Sequence, residues 1–379
     1  MKYIVNGKII LPDSIIQNSV LAFDEKIVGI TDIEDIPQNA EVIDANGGFV
    51  APGLVDIHIH GYLGEDTSDG IADGIEKMAN GIIKNGVTSW CPTTMTVSMD
   101  EINAALDVVR SLKAQSTDWD GAQILGVNLE GPFINPKKKG AQAEEHIKAP
   151  DAKFVIDNAD IISLATMAPE MEGGVEAIAE ICKNCDVKVS IGHTDASFEE
   201  TLAGIDAGAT HITHLFNAQT GLLHRNPGVV GAALLRDVST ELICDTFHIH
   251  KGLFELIAKI KNDKFVLITD CTRAGGMPDG EYTLGGQKII VNGIECLLED
   301  GTIAGSVLKL NNAVKNIRDN TDMPLWSVVN AASLNPAKAI GVDDRKGSLE
   351  AGKDADIIIT DDDFNITKTI IGGKIKYES

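Results

Sequence analysis

The spacing of apolar and polar positions changes twice along the chain. Up to residue 50, and again after residue 355, apolar residues come in short runs such as Tyr3–Val5, Val20–Phe23 and Asp356–Thr360. Turn residues separate these runs. Runs of this kind indicate short strands. Between them, strand-like runs alternate with segments of helical spacing, which indicates a parallel sheet wrapped by helices. The pattern predicts a (β/α)8 TIM-type barrel over residues 51–342 and a second, small β-sandwich domain built from both termini, residues 1–50 and 343–379.

The strands of the predicted barrel can be placed from these runs. They cover residues 53–60, 87–93, 123–130, 161–166, 187–192, 210–215, 241–246 and 264–270. Two of the intervening helices begin with capping boxes, Ser98 with Glu101 and Ser197 with Glu200. The Gly-rich segment 275–302 follows the eighth strand, and we expect it to be an inserted hairpin.

Composition narrows the possible partners. The chain has 379 residues, 44% of them hydrophobic, and a formal net charge of −24. So acidic a protein repels nucleic acid and anionic membrane surfaces, and we expect neither as a partner. No apolar run approaches the ~20 residues of a membrane span, and the N-terminal segment lacks the apolar core of a signal peptide. We therefore expect a cytoplasmic protein.

The cysteines offer little chemistry. Six cysteines are too few for a disulfide scaffold in a chain of this length. Cys182 and Cys185 form a C-x-x-C pair, a spacing that can mark a redox or zinc site. The pair follows a helical run instead of opening a helix, and no second pair exists, so both are predicted to be ordinary thiols near a helix end.

The stretch Val55–His60 is the first place where the sequence indicates a reactive site. It alternates along a predicted strand, so Asp56, His58 and His60 share one face. Two imidazoles side by side in a buried strand destabilise the fold unless each has a hydrogen-bond or metal partner. Because histidine is the commonest metal ligand at neutral pH, a metal ion is the partner that this spacing favours.

Further ligand-type residues stand at the carboxyl ends of other predicted strands, which is where barrel active sites lie. Each alone has an ordinary interpretation, a hydrogen-bonded histidine or a capping aspartate. Together they predict a site for one or two divalent transition-metal ions (Zn, Fe, Co or Mn), and Glu130 could bridge two of them. Such a centre lowers the pKa of water and polarises a carbonyl, so we expect hydrolysis. The predicted metal ligands are His58, His60, Glu130, His193, His214 and Asp270.

Two residues are candidates for proton transfer and charge stabilisation. Asp270 could accept the proton of water and deliver it to a leaving amine, although it could also be a pure metal ligand. His248 follows the seventh strand and could donate a hydrogen bond to the oxyanion, unless it is an ordinary surface histidine. We predict that Asp270 and His248 are catalytic.

Several stretches resemble the amidohydrolase superfamily and, within it, the N-acetylglucosamine-6-phosphate deacetylases. The superfamily-wide ones are residues 51–61 (APGLVDIHIHG) and 347–356 (GSLEAGKDAD). Those typical of the deacetylases are residues 128–133 (NLEGPF), 166–170 (TMAPE) and 213–218 (THLFNA), and residues 191–194 (IGHT) also match. Many superfamily members bridge their metals with a modified lysine on the fourth strand, and this chain has none there, which favours the deacetylases. Some deacetylases lack the His-x-His pair of the first strand and hold a single metal, whereas this chain keeps both histidines and so resembles the two-metal kind.

The resemblance implies a metal-dependent hydrolase that converts N-acetyl-D-glucosamine 6-phosphate to D-glucosamine 6-phosphate and acetate. It also implies a homodimer, since the family supplies the phosphate-binding arginine, Arg225 here, across a dimer interface. A guanidinium suits a phosphate, but Arg225 could also be a solvated loop residue, as we expect Lys137–Lys139 to be. The implied substrate contacts are Ala141, Gln142, Asn217, Ala218, Arg225, His248, Ile303, Ala304 and Gly305.

Two other functions stay open at this point. One is another amidohydrolase that acts on a cyclic amide, a nucleobase or an N-acyl amino acid. The other is a catalytically inactive binding or scaffold relative, which we consider poorly supported because such proteins typically lose metal ligands and all six are present here.

Overall fold

A computed structural model describes all 379 residues, Met1 to Ser379. None of its helices combines the length and the hydrophobicity that a membrane span requires. The strands are β1 (Lys2–Val5), β2 (Lys8–Ile10), β3 (Ile15–Ile16), β4 (Val20–Phe23), β5 (Ile27–Thr31), β6 (Glu41–Asp44), β7 (Phe49–Pro52), β8 (Leu54–Ile59), β9 (Gly61–Tyr62), β10 (Glu65–Asp66), β11 (Val87–Thr94), β12 (Gln123–Ile124), β13 (Val127–Glu130), β14 (Ile162–Met167), β15 (Lys188–Ile191), β16 (His211–Ile212), β17 (Ser239–Ile243), β18 (Phe265–Ile268), β19 (Gly280–Leu284), β20 (Gln287–Asn292), β21 (Glu295–Leu298), β22 (Ile357–Thr360), β23 (Ile366–Ile371) and β24 (Lys374–Glu378). The α-helices are α1 (Ala72–Ile82), α2 (Met99–Lys113), α3 (Ala152–Asp157), α4 (Gly174–Asn184), α5 (Phe198–Asp206), α6 (Gly228–Leu235), α7 (Phe254–Lys261), α8 (Leu310–Asn320), α9 (Leu325–Ala331) and α10 (Leu334–Ala339).

The central sheet is a parallel barrel, as the sequence predicts. Its order is β12-β11-β13-β14-β15-β16-β17-β18, with β8 beside β11. Both β12 and β13 pair in parallel with β11 and are successive parts of one strand, so the barrel has eight strands. It closes where Ile59 forms a parallel bridge with Cys271 and Asp270 N donates to His58 O at 2.9 Å. The predicted (β/α)8 fold is confirmed.

The helices around the barrel follow from their apolar spacing and their end residues. Helix α1 turns one apolar side to the barrel, and the segment after it ends at Gly86, whose φ of 80° favours glycine. Both predicted capping boxes form, Ser98 with Glu101 at the start of α2 and Ser197 with Glu200 at the start of α5. A cap of this kind stabilises a helix by about 1 kcal/mol.

Two small sheets pack on each other beside the barrel and take strands from both ends of the chain. Their orders are β5-β4-β1-β6 and β24-β23-β22-β7-β2-β3. Strand β22 pairs antiparallel with β7, which places Ile358 opposite Ala51. Apolar residues of both sheets, including Phe23 and Ile357, share one buried cluster. The expected β-sandwich from both termini is therefore present, while the domain boundaries at residues 50 and 342 stay a prediction.

Asp356, directly before β22, takes part in a buried ion pair and contacts the segment before the first barrel strand. Lys346 Nζ lies 2.6 Å from Asp356 Oδ2 and 2.9 Å from Asp354 Oδ2. Asp356 O also accepts a hydrogen bond from Gly53 N at 2.9 Å, directly before β8. The backbone of Asp356 thus contacts the segment directly before β8, while its side chain pairs with Lys346.

The segment after the eighth strand contains three strands, one more than the hairpin expected from the sequence. Strands β19, β20 and β21 form an antiparallel sheet. The additional strand forms because Asn292 pairs with Glu295 across a two-residue turn that contains Gly293, at a φ of 62°. The β19–β20 turn reaches the barrel mouth, where Gln287 Nε2 donates to Ala141 O at 2.5 Å.

Candidate metal centre and active site

A cavity of about 310 Å³ opens at the carboxyl ends of the barrel strands. Five of the six predicted metal ligands line it, and the sixth, His58, lies directly beneath with no exposed surface. Residues scattered over more than 200 positions of sequence therefore converge on the floor of one cavity. The five lining ligands are His60, Glu130, His193, His214 and Asp270.

Three of these residues have an uncommon backbone conformation. His193, His214 and Asp270 follow their strands with φ values of 46°, 23° and 49°, in the left-handed region. Such a conformation costs about 1–3 kcal/mol for a residue with a side chain, so the surrounding structure must hold it. Asp270, for example, is held on both sides, since its N–H donates to His58 O and its carbonyl accepts from Ser306 N at 2.8 Å.

The first group of ligand atoms comprises His58, His60 and Asp270, all buried. His60 Nε2 lies 3.1 Å from Asp270 Oδ1, and His58 Nε2 lies 3.5 Å from the same oxygen. The alternation of β8 brings the two imidazoles to one side, as the sequence predicts. Asp270 joins them because barrel closure places the end of β18 next to the end of β8.

The second group comprises Glu130, His193 and His214, also buried. Glu130 Oε1 lies 2.9 Å from His214 Nε2 and 3.1 Å from His193 Nε2. The same carboxylate reaches the first group, since its Oε2 lies 3.2 Å from His60 Nε2. Glu130 therefore lies between the two groups, with one oxygen near His193 and His214 and the other near His60.

The donor atoms fit divalent transition-metal ions. His58 Nε2 is buried and has no hydrogen-bond partner, although a buried polar atom normally has one. The Nε2 atoms of His193 and His214 face each other at 3.1 Å. Convergence of imidazole nitrogens and carboxylate oxygens is typical of sites for zinc, iron, cobalt or manganese, and atypical of calcium or magnesium sites.

Burial and neighbouring charges set the pKa of the groups in the centre. Burial alone lowers the pKa of His58, but Glu241 and Glu130 outweigh it and hold that pKa well above its usual range. For His60, Asp270 and Glu130 likewise outweigh burial and raise the pKa to about 9. Burial raises the pKa of Glu130, yet the surrounding imidazoles bring it well below its usual range. The carboxylates thus require adjacent positive charge, which protons or divalent cations can supply.

Sequence reasoning missed two buried carboxylates that hold the histidines. Glu241 Oε2 lies 3.0 Å from His58 Nδ1, and no local pattern signals this contact because the residues are 183 positions apart. Asp245 Oδ2 lies 2.6 Å from His248 Nδ1. The three-residue spacing of Asp245 and His248 is a local signal from which their contact could have been predicted.

Most of the predicted substrate residues line the cavity. The exceptions are Ala304, which is fully buried outside the lining, and Arg225, which is exposed outside the cavity. The lining contains no lysine or arginine. The predicted residues that do line it are Ala141, Gln142, Asn217, Ala218, His248, Ile303 and Gly305.

The loop that contains Lys137–Lys139 contributes a backbone carbonyl to the site. Lys138 O lies 2.9 Å from His193 Nδ1, while the ammonium groups of Lys137 and Lys138 lie near Asp195. The sequence predicts only a solvated loop here, because a side-chain pattern does not show which carbonyl faces a distant histidine. Sequence reasoning also missed the apolar lining residues Met95, Phe216 and Leu284.

Comparison with known proteins shows similarity over nearly the whole chain. Residues 49–376 match the sequence model of the amidohydrolase family. The chain is 37% identical to N-acetylglucosamine-6-phosphate deacetylase from Bacillus subtilis, over 98% of this chain and 96% of that one. It is 36% identical to N-acetylgalactosamine-6-phosphate deacetylase from Escherichia coli O157:H7, over 91% of this chain and 92% of that one. The crystal structure of N-acetylglucosamine-6-phosphate deacetylase from Pasteurella multocida superposes with a TM-score of 0.95 at 32% identity, covering 100% of both chains.

Proposed function

The chain belongs to the amidohydrolase family, and within that family to the N-acetylglucosamine-6-phosphate deacetylases, and from this premise we propose its reaction. It hydrolyses N-acetyl-D-glucosamine 6-phosphate to D-glucosamine 6-phosphate and acetate, in the catabolism or recycling of amino sugars. The observation that carries the proposal is the buried centre of four imidazoles and two carboxylates at the floor of the cavity. The cytoplasmic location expected from the sequence is part of the proposal.

We assign the centre to one or two divalent transition-metal ions, among which zinc, iron, cobalt and manganese fit the donors. His58, His60 and Asp270 would hold one ion, and His193 and His214 the other, with Glu130 between them. When bound, the metal supplies Lewis-acid chemistry, since it lowers the pKa of water and polarises the amide carbonyl.

Asp270 carries the proton in this mechanism. Its carboxylate is buried and lines the cavity floor, where we place the water molecule that attacks the acetamide carbon. A C–O bond forms, the C–N bond breaks, and the proton taken from water passes through the Asp270 carboxylate to the departing amine nitrogen. The second proton of water, which the newly formed acetic acid releases, ends on the amine. The products are therefore acetate and the ammonium form of the amino sugar, and atoms and charge balance.

His248 supports the reacting carbonyl, and Asp245 supports His248. A carboxylate can only accept, so the hydrogen bond from Nδ1 to Asp245 Oδ2 keeps a proton on Nδ1 and leaves Nε2 as the free ring nitrogen. Asp245 Oδ1 also accepts from the backbone N–H of His248 at 2.8 Å. In its imidazolium form the ring can donate from Nε2 to the developing oxyanion.

The phosphate group requires a cation that the cavity of one chain does not supply. No lysine or arginine lines the cavity, and the chain's charge of −24 disfavours an unpaired phosphate. Arg225 is exposed on the loop before α6, beside Leu222 and Leu223, whose side chains are 53% and 62% exposed. We propose that this loop lies at the interface of a homodimer and places Arg225 in the partner's cavity.

Similarity to one of the relatives supports a second candidate substrate for this chain. The Escherichia coli protein named for N-acetylgalactosamine 6-phosphate is nearly as similar to this chain as the Bacillus subtilis deacetylase, so the 4-epimer belongs among the candidates. The amidases that act on cyclic amides, nucleobases or N-acyl amino acids are not favoured, because the full-length relatives are amino-sugar phosphate deacetylases.

The direct test measures acetate release from a small panel of substrates. The panel contains both N-acetylhexosamine 6-phosphates, unphosphorylated N-acetylglucosamine, a cyclic amide and an N-acetyl amino acid. We expect the highest kcat/KM for N-acetylglucosamine 6-phosphate, a lower value without phosphate, and loss of activity on chelation that added metal reverses. Preference for the cyclic amide or the amino acid would overturn the proposal.

A further inference from the structure

We propose that Glu241 is a positioning residue of the metal centre. It fixes the ring of His58 and thereby sets the affinity of the His58, His60 and Asp270 group for its metal ion. The inference rests on the proposed function, because it requires that this centre binds metal. It concerns a residue in none of the sequence stretches that indicated the site.

Glu241 is a fully buried carboxylate with three donors around it. It lies in β17 with no exposed surface. Its Oε2 lies 3.0 Å from His58 Nδ1 and accepts from His214 N at 3.0 Å, and its Oε1 lies 3.0 Å from His211 Nε2. His211 belongs to the neighbouring strand β16 and is also buried. The carboxylate is thus held at both oxygens and cannot turn away from His58.

This contact decides which nitrogen of His58 faces the metal centre. Because a carboxylate only accepts hydrogen bonds, Nδ1 must carry the proton. The lone pair of the neutral ring is then on Nε2, the atom that lies 3.3 Å from Glu130 Oε1 and has no hydrogen-bond partner. Hydrogen bonds of this type hold the ring orientation of metal-binding histidines and raise their basicity as ligands.

Among the four imidazoles of the centre, His58 alone is supported by a carboxylate at Nδ1. The Nδ1 atoms of His60 and His193 lie 3.2 and 2.9 Å from the backbone carbonyls of Thr93 and Lys138, and His214 Nδ1 has no partner. A charged acceptor polarises an imidazole more strongly than a neutral carbonyl does. Glu241 should therefore raise the affinity for the ion beside His58 more than the affinity for the ion beside His193.

Packing alone does not explain a carboxylate at this position. A buried charge costs several kcal/mol in desolvation, and it is tolerated where hydrogen bonds and opposite charge compensate it. An apolar residue or a glutamine would fill the same volume without that cost. The carboxylate also links the two halves of the centre, since one oxygen contacts the side chain of His58 and the backbone of His214.

The test replaces the charge while it keeps the shape. Glu241→Gln retains one carbonyl oxygen and the side-chain volume, but loses the negative charge and turns one acceptor into a donor. Competition with a chelator, followed by elemental analysis with zinc, should show an affinity about 10- to 100-fold weaker for one ion and little change for the other. Asp356→Asn is the matched control, because it removes a buried carboxylate from the Lys346 ion pair outside the centre. The control should lower the melting temperature and leave both metal affinities unchanged.

A double substitution distinguishes positioning of His58 from general support of the fold. In a His58→Ala background the Glu241→Gln change should cause no further loss of metal affinity, because the ring through which Glu241 acts is gone. Equal losses in both backgrounds, or a folded Glu241→Gln protein whose two affinities match the wild type, would overturn the inference. If Glu241→Gln does not fold, His211→Phe takes its place, because phenylalanine keeps a ring and has no side-chain donor for Glu241. This variant should lower the affinity for the same ion to a smaller extent, and an unchanged affinity would again overturn the inference. Wild-type protein that binds no metal at all would instead overturn the proposed function.

Discussion

Replacement of Arg225 by alanine tests how the protein recognises a phosphate ester. Arg225 is exposed outside the cavity, so its removal should change the free energy of unfolding by no more than about 0.5 kcal/mol. A charge-assisted hydrogen bond to phosphate contributes about 1.5–3 kcal/mol. Since about 1.4 kcal/mol corresponds to a factor of ten, kcat/KM for N-acetylglucosamine 6-phosphate should fall about 10- to 100-fold.

The assay compares two substrates in three proteins. Acetate release is measured with and without the 6-phosphate on the sugar, for the wild type, for Arg225→Ala and for Arg225→Lys. Activity on the unphosphorylated sugar should barely change, so the ratio of the two specificity constants should shrink. Arg225→Lys should restore part of that ratio, because lysine keeps the positive charge but cannot bind the phosphate in a bidentate manner. Arg236→Ala serves as the control, since Arg236 pairs only with Asp206, at 2.7 Å.

Mixed dimers test whether Arg225 acts on its own chain or on the partner. When Arg225→Ala and Asp270→Asn chains are co-expressed, each heterodimer has one cavity with Asp270 from one chain and Arg225 from the other. Random assembly then yields about a quarter of all cavities in wild-type form, and activity should return to that level. No recovery in confirmed heterodimers would refute an arginine supplied by the partner. An equal loss on both substrates in Arg225→Ala would show that Arg225 does not bind phosphate.

The remaining predictions concern the centre itself. Elemental analysis should find between one and two transition-metal ions per chain, and activity that survives complete chelation would contradict the mechanism. Replacement of His193 should lower activity more than replacement of His58, because the resemblance implies that relatives without the His58–His60 pair remain active, and kinetic comparison of the two alanine variants measures the order. Asp270→Asn should lower kcat by about 100-fold or more while the ion at His193 stays bound, and loss of all metal would show that ligation is its main role. Asp245→Asn should lower kcat about 10-fold or more through His248, with metal content unchanged, and an unaffected rate would remove Asp245 and His248 from the mechanism.

Much of the fold follows from local patterns of the chain. The eight barrel strands and the capped helices correspond to periodicities over ten or so residues, since an alternating run buries one face and a helical run buries one side. The pair His58 and His60 was predictable for the same reason, because both imidazoles come from one strand. The prediction that Glu130 and Asp270 join them needed only the rule that strand ends meet at one side of a barrel.

Barrel closure established the contacts that no local pattern contains. Glu241 and His58 lie on strands that are not neighbours in the sheet, and their contact depends on the rotation of both strands about the barrel axis. The carbonyl of Lys138 meets His193 for a similar reason, through a loop conformation and not a side-chain pattern. For Arg225 the sequence allowed either a phosphate ligand supplied to a partner chain or a solvated loop residue, and the fold places it on the surface, outside the cavity of its own chain. A short stretch of chain specifies which side chains point inward, but the distances between them arise when strands far apart in sequence close into one ring.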